Sequence, residues 1–150
     1  QGATANGINV GVYFFTQAYK LRQRLLRRQV WHWHYAPATI FLTDLCWYRE
    51  RKRRARANGL DKGTRTACVA AFCKTIANGG RKAGVYASKS WYNNKIDASA
   101  FSNYFIWVAQ YNTTCNYKGK YNMWQYSSKG SVPGIKGNVD VNIAYLIHGF

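Results

Sequence analysis

The stretch Asp61-Lys-Gly-Thr-Arg-Thr-Ala-Cys-Val-Ala-Ala-Phe-Cys-Lys-Thr-Ile-Ala-Asn-Gly-Gly-Arg-Lys-Ala-Gly-Val-Tyr-Ala87 decides the fold class. Asp61 or Thr64 offers a side-chain oxygen to the free N–H groups at a helix start. The helix runs to about Ala77, with Ala67, Ala70, Ala71 and Ile76 among its apolar positions. Gly79-Gly80 ends it, because glycine accepts the backbone conformation that closes a helix. Residues 82–87 follow as a short apolar strand. Downstream, residues 98–102 read as a short helix. Residues 104–111, 121–126 and 138–141 read as strands between Asn, Gly and Ser clusters. Upstream, Asn6-Gly7 is a turn, and the nearly continuous apolar run 8–15 suits a strand covered on both faces. Strand, helix, strand and then short strands predict an α/β fold, specifically a barrel whose last crossovers have shrunk.

Bulk properties bound the rest. The 150 residues suffice for one domain with a core, and 47% hydrophobic with 17% aromatic content argues against a disordered chain. No run of eighteen apolar residues occurs, so no membrane span is expected. The chain begins with Gln1 and lacks a basic-then-apolar leader, so it reads as a fragment without a signal peptide. The four cysteines, Cys46, Cys68, Cys73 and Cys115, match no zinc or redox spacing. Cys68 and Cys73 are turned about 140° from one another on a helix, which favours buried free thiols over a bridge.

Seven segments carry a resemblance. They are residues 2–18, Gly84-Val-Tyr-Ala-Ser88, Trp91-Tyr92, Trp107-Val-Ala-Gln-Tyr111, Met123-Trp-Gln-Tyr-Ser127, Val132-Pro-Gly-Ile135 and Val139-Asp-Val-Asn142. In order and spacing they resemble the C-terminal part of the catalytic domain of glycoside hydrolase family 25 lysozymes, most specifically over residues 80–144. The resemblance implies an incomplete, irregular TIM-like (β/α) barrel lacking its N-terminal strands. It also implies hydrolysis of the β-1,4 bond between N-acetylmuramic acid and N-acetylglucosamine in peptidoglycan. Family chemistry uses carboxylates at the C-terminal strand ends, one to protonate the leaving oxygen and one to meet the oxocarbenium-like centre. Asp140 matches the last-strand acid. Tyr13, Tyr86, Trp107, Gln110, Trp124 and Gln125 match positions lining or adjoining the groove, where aromatic faces meet sugar rings. The alternative for each aromatic is a core role, and for Asp140 a turn or cap.

The other acids are missing. The first-strand Asp falls upstream of Gln1, and no Asp-x-Glu occurs in the chain. Between residues 18 and 57 only Asp44 and Glu50 are acidic; on one strand they would lie roughly 20 Å apart, too far to flank one glycosidic oxygen. Asp44 could stand in for the strand acid by position alone.

Residues 19–56 differ in texture from the rest. The net charge is +17, and eleven of the 22 Lys and Arg residues lie in this block. Residues 20–30 read as a basic helix and 38–45 as a strand. Arg and Lys interleaved with Trp31, His32, Trp33, His34 and Tyr35 suit nucleic acid or a membrane surface. An out-of-frame translation product is the preferred account. A one-base shift turns Trp31-His-Trp-His-Tyr35 into Ala-Leu-Ala-Leu whatever the codons, and residues 23–30 can become Glu-Ala-Val-Glu-Glu-Ala-Ser. That recovers an amphipathic barrel crossover.

The leading expectation is therefore a muramidase by descent, inactive in this chain. The alternatives are a non-catalytic glycan-binding remnant, or a basic nucleic-acid-binding protein acting through residues 19–56. Peptidoglycan glycan strands are the expected partner, with no specific nucleic acid, a monomeric state, and an extracellular or cell-wall location. No metal or organic cofactor is expected, because His32, His34 and His148 lack a ligand set. Sequencing the coding DNA over codons 15–60 tests the frame hypothesis: we expect a family-like protein in the shifted frame, and an intact frame in independent reads without one rules it out.

Overall fold

The computed structural model describes residues 5–7, 11–15, 39–43 and 59–145, and for 11–15 and 39–43 the backbone. The expected helix at 20–30, His32, His34, Asp44, Cys46, Glu50 and His148 lie outside the described residues. Among the described residues, six strands form one sheet in sequence order. These are β1 (Gly11–Phe15), β2 (Thr39–Thr43), β3 (Ala83–Ser88), β4 (Phe105–Ala109), β5 (Met123–Gly130) and β6 (Val139–Ala144). β1 through β5 pair in parallel, and β6 returns antiparallel to β5. The α/β expectation holds at this level, and the strand expected within the basic block occupies the slot between β1 and β3.

Helix α1 (Lys62–Asn78) lies against β2 and β3. Asp61 is its cap: one carboxylate oxygen accepts from Thr64 N at 2.8 Å and the other from Thr64 Oγ1 at 2.6 Å. Gly79 closes it, and Gly80 takes φ +72, which a side chain rarely tolerates. Of the apolar positions named from sequence, Ile76 lies on the buried face. That face is made of Arg65, Cys68, Val69, Phe72, Cys73 and Ile76, while Ala67 is exposed and Ala70 and Ala71 flank the stripe. The larger apolar groups at i, i+3, i+4 and i+7 take the core because they remove more surface from water. Burial pushes the Cys73 thiol up to about 12, so it packs as a small apolar group; Cys68 is likewise a buried free thiol.

Alternation along the strands sorts side chains to two faces. Val85, Ala87, Ile106, Val108 and Trp124 join Val69, Phe72, Cys73 and Ile76 in one core on the α1 side. β3 is buried over all of Ala83–Ala87, as a strand covered on both faces should be.

Helix α2 (Lys89–Asn94) is absent from the sequence reading. Six residues are too few to show a helical period, and the element depends on Ser88, whose side chain caps Trp91 N directly after β3. The expected short helix appears as a 3-10 turn at Ala98–Phe101, capped by Asp97. Strands β5 and β6 extend further than expected because they form a hairpin with register shifts between Gln125 and Ser127 and between Ser127 and Gly130. At Gly130 a Cβ would lie 2.1 Å from Val141 Cγ2 and 3.1 Å from Val139 O, so only glycine lets the strands approach there.

Arg65 ties α1 to the rest. Its Nη1 donates to Lys95 O at 3.0 Å, its Nη2 to Leu60 O at 2.7 Å, and its guanidinium lies 4.9 Å from the centre of the Trp91 ring. The planar fork serves two carbonyls and one aromatic face at once, which an ammonium does not. Arg65→Ala should cost about 2–4 kcal/mol in chemical denaturation, and Arg65→Lys should recover less than half of it.

Asp61 and Asp97 should make the fold acid-sensitive. Hydrogen bonds from Thr64 hold the Asp61 carboxyl below its usual range, and those from Ser99, helped by Lys62, do the same for Asp97. A carboxyl lowered in the folded state stabilises above its unfolded value, near 3.9, and loses that contribution as pH falls through the folded value. The melting temperature should therefore fall below about pH 4. Paired Asp61→Asn and Asp97→Asn changes, which keep a capping oxygen but do not titrate, should flatten that decline.

Candidate functional site

In parallel sheets ligand groups gather at the carboxyl ends of the strands, where loops rather than helices cover the edge. Phe15, Thr43, Tyr86, Trp107 and Met123 lie level across β1 to β5. One step nearer the carboxyl edge, Ser88, Ala109 and Gln125 are level with one another and with Asn142 of β6. By alternation the residues of β3 to β6 in these two rows share the face opposite the α1 core.

That face carries a connected set of side chains. The Tyr86 hydroxyl donates to Gln125 Oε1 at 2.5 Å, and the Tyr111 hydroxyl donates to the same oxygen at 3.2 Å. Gln125 is only 1% exposed, so the two donors satisfy a carbonyl that burial would otherwise penalise. The Tyr86 and Trp107 rings meet edge to face, with centroids 4.6 Å apart and planes at 62°, the geometry that aromatic quadrupoles favour. Trp107 Nε1 donates to Asn142 Oδ1 at 3.0 Å. The chain Tyr111–Gln125–Tyr86–Trp107–Asn142 thus links β3, β4, β5 and β6. Trp107 remains half-buried and Asn142 exposed.

Asp140 is exposed at the start of β6. It shares the face of Asn142 and stands about 7 Å nearer the carboxyl edge, two residues along an extended strand. β6 runs antiparallel to its neighbour, which brings its first residues to that edge.

The other expected residues are placed differently. Trp124 is on the α1 side of the sheet, 6% exposed, its Nε1 donating to Gln110 O at 2.9 Å. Gln110 begins the loop after β4: its Nε2 donates to Asn116 Oδ1 at 2.8 Å, and its Oε1 accepts from Asn116 N at 3.3 Å. Lys89 also donates to Asn116 Oδ1, which ties this loop to α2. Tyr92, Tyr117, Tyr121 and Tyr145 form a row beneath the loop with ring centroids 5.3, 6.3 and 5.5 Å apart. Tyr13 lies on β1 in register with Phe41, and its side chain is outside the described residues. The structure therefore brings Tyr86, Trp107 and Gln125 together, places Asp140 at the same edge, and puts Gln110 in the adjoining loop.

Two residues of this surface were not singled out in the sequence, Asn142 and Tyr111. The spacing of Asp140 and Asn142 by two along a strand was the available signal, because it sets both on one face. No comparable signal marked Tyr111, whose contact with Gln125 spans a loop. Among the described residues, no group of three His, Cys, Asp or Glu side chains gathers as a metal site, and no helix is long and apolar enough to cross a membrane.

Comparison with solved structures gives the same fold at low identity. The CTP1L endolysin is similar with a TM-score of 0.71 and 22% identity, over 94% of this chain and 48% of that one. The catalytic domain of the endolysin ply40 from bacteriophage P40 of Listeria monocytogenes matches at 0.66 and 18%, over 95% and 70%. GHIP, a glycosyl hydrolase 25 of Streptococcus pneumoniae, matches at 0.63 and 18%, over 97% and 63%. The chain thus spans about half the length of the CTP1L endolysin. No curated protein matches the chain. The model of the glycosyl hydrolases family 25 matches residues 1–135, through the basic block and up to, but not including, β6. With that match over most of its length, the chain belongs to glycosyl hydrolase family 25.

Proposed function

We propose that the chain is the carboxyl-terminal part of a peptidoglycan-hydrolysing lysozyme domain, an N-acetylmuramidase by descent, and that these 150 residues alone hold glycan without cleaving it. The observation that carries the reading is the linked surface of Tyr86, Trp107, Gln125 and Asn142, with Asp140 at its carboxyl edge. A half-buried indole braced by a second ring offers a flat apolar face to a pyranose. The amide and carboxylate beside it suit hydroxyl and acetamido groups. Trp124 is left out of the proposed surface because its ring packs in the α1 core.

The sheet, with β1 and β6 at its two edges, fits an irregular (β/α) barrel that lacks its N-terminal strands. The reading also accounts for the acids. Glycoside hydrolysis needs two carboxyl groups roughly 5–10 Å apart across the scissile bond. Asp140 supplies one. In the sequence Asp44 directly follows β2, and Cys46 stands where an Asp-x-Glu motif would carry its glutamate. A thiol titrates near 8.5 and does not replace a carboxylic acid as proton donor to the leaving oxygen. Peptidoglycan glycan strands are then the ligand, at a cell-wall or extracellular location. The charge of residues 19–56 adds anion binding that falls steeply with salt.

Two assays separate the parts of this reading. Turbidity of purified cell walls should stay constant with this chain, and a fall would overturn the inactivity. Retention on insoluble peptidoglycan should persist at moderate salt and drop about tenfold in Trp107→Ala, roughly the 1.4 kcal/mol of a lost aromatic platform. Retention that vanishes with salt in step with a DNA gel shift, and is indifferent to Trp107, would favour the basic block instead.

A further inference from the structure

Asn142 has a fixed orientation. The indole N–H of Trp107 is a donor only, so the atom facing it at 3.0 Å must be the carbonyl oxygen of Asn142. The amide is planar, and its two N–H donors therefore project away from Trp107. Asn142 is exposed, and no partner for its nitrogen occurs among the described residues. Trp107 is itself held, by the edge of Tyr86, which Gln125 anchors from a fully buried position. The result is an aromatic face and a directed pair of amide donors side by side, both set before any ligand arrives.

We infer that Asn142 is a specificity-determining residue that donates to the carbonyl oxygen of an acetamido group on a sugar whose ring lies against Trp107. The inference rests on the glycan-binding reading above and extends it to a residue and a chemical group. A donor oriented by its own neighbour loses little freedom on binding, so the bond discriminates more than a free asparagine would. Glucose units carry a hydroxyl in place of the acetamido group, and that oxygen does not reach as far from the ring. Asp140, two residues away on the same face, contributes a carboxylate that accepts hydrogen bonds and would repel an acetamido oxygen. Only the Asn142 amide, of these two groups, suits that oxygen.

The test uses neutral tetrasaccharides, so the charge of the chain does not enter. Titration with tetra-N-acetylchitotetraose and with cellotetraose, followed by tryptophan fluorescence, should give tighter binding of the acetylated sugar. Asn142→Asp retains an oxygen for Trp107 Nε1 but no donor. It should lose about tenfold in affinity for chitotetraose, the worth of one hydrogen bond, and clearly less for cellotetraose. Trp107→Ala should weaken both sugars. In the wild type, the Asn142 side-chain amide resonances should shift further with chitotetraose than with cellotetraose, a readout that needs no variant. Equal wild-type affinity for the two sugars, or undiminished chitotetraose binding by Asn142→Asp, would overturn the inference and leave glycan binding standing. Failure of the wild type to bind either sugar would overturn the glycan reading and this inference with it.

Discussion

The structure depends on the parallel register that runs through β3. This strand is buried from Ala83 to Ala87 and has neighbours on both sides, so each of its side chains must suit one of two environments. Val85 and Ala87 pack under α1, while Tyr86 turns to the opposite face. A slip of one residue would exchange the two sets, placing a tyrosine hydroxyl in the apolar core and valine at the surface that holds Gln125. The same register levels Tyr86 with Trp107 and Ser88 with Ala109, and through them with β5 and β6. Core and candidate surface are two faces of one alignment.

The two faces are stabilised by different means. On the α1 side the contribution is apolar area, from Phe72, Ile76, Val108 and Trp124, with Arg65 satisfying carbonyls at the edge. On the other side the groups are polar and aromatic, and the buried Gln125 carbonyl accepts from both Tyr86 and Tyr111. Such a network holds its side chains in place before a ligand binds, which lowers the entropy lost on binding. Asp61, Ser88 and Asp97 cap α1, α2 and the 3-10 turn in the same economical way, each with a short side chain at a strand or loop exit.

The basic block has a place in this architecture whatever its origin. Thr39-Ile-Phe-Leu-Thr43 has the composition of a parallel strand, and β2 pairs with β1 and β3 across its length. The eleven basic residues of the block all lie outside those five positions. The family match runs through this block.

Much of the fold was legible in the residues themselves. The cap at Asp61, the stop at Gly79-Gly80 and the apolar run of β3 are local signals that operate within a few residues, and they located α1 and the central strand. The ordered segments from Gly84 to Asn142 pointed to the family for the same reason: order and spacing are properties of the chain. What the residues did not disclose is which face each one takes. Trp107 and Trp124 look alike in sequence, each an aromatic in a strand, yet one braces the open surface and the other fills the core. That choice is made by β4–β5 pairing and by α1, elements far apart along the chain. The orientation of Asn142 was hidden for the same reason, since it comes from an indole 35 residues away. Local propensity sets where elements begin and end, whereas the faces they present are settled only when the strands pair in register.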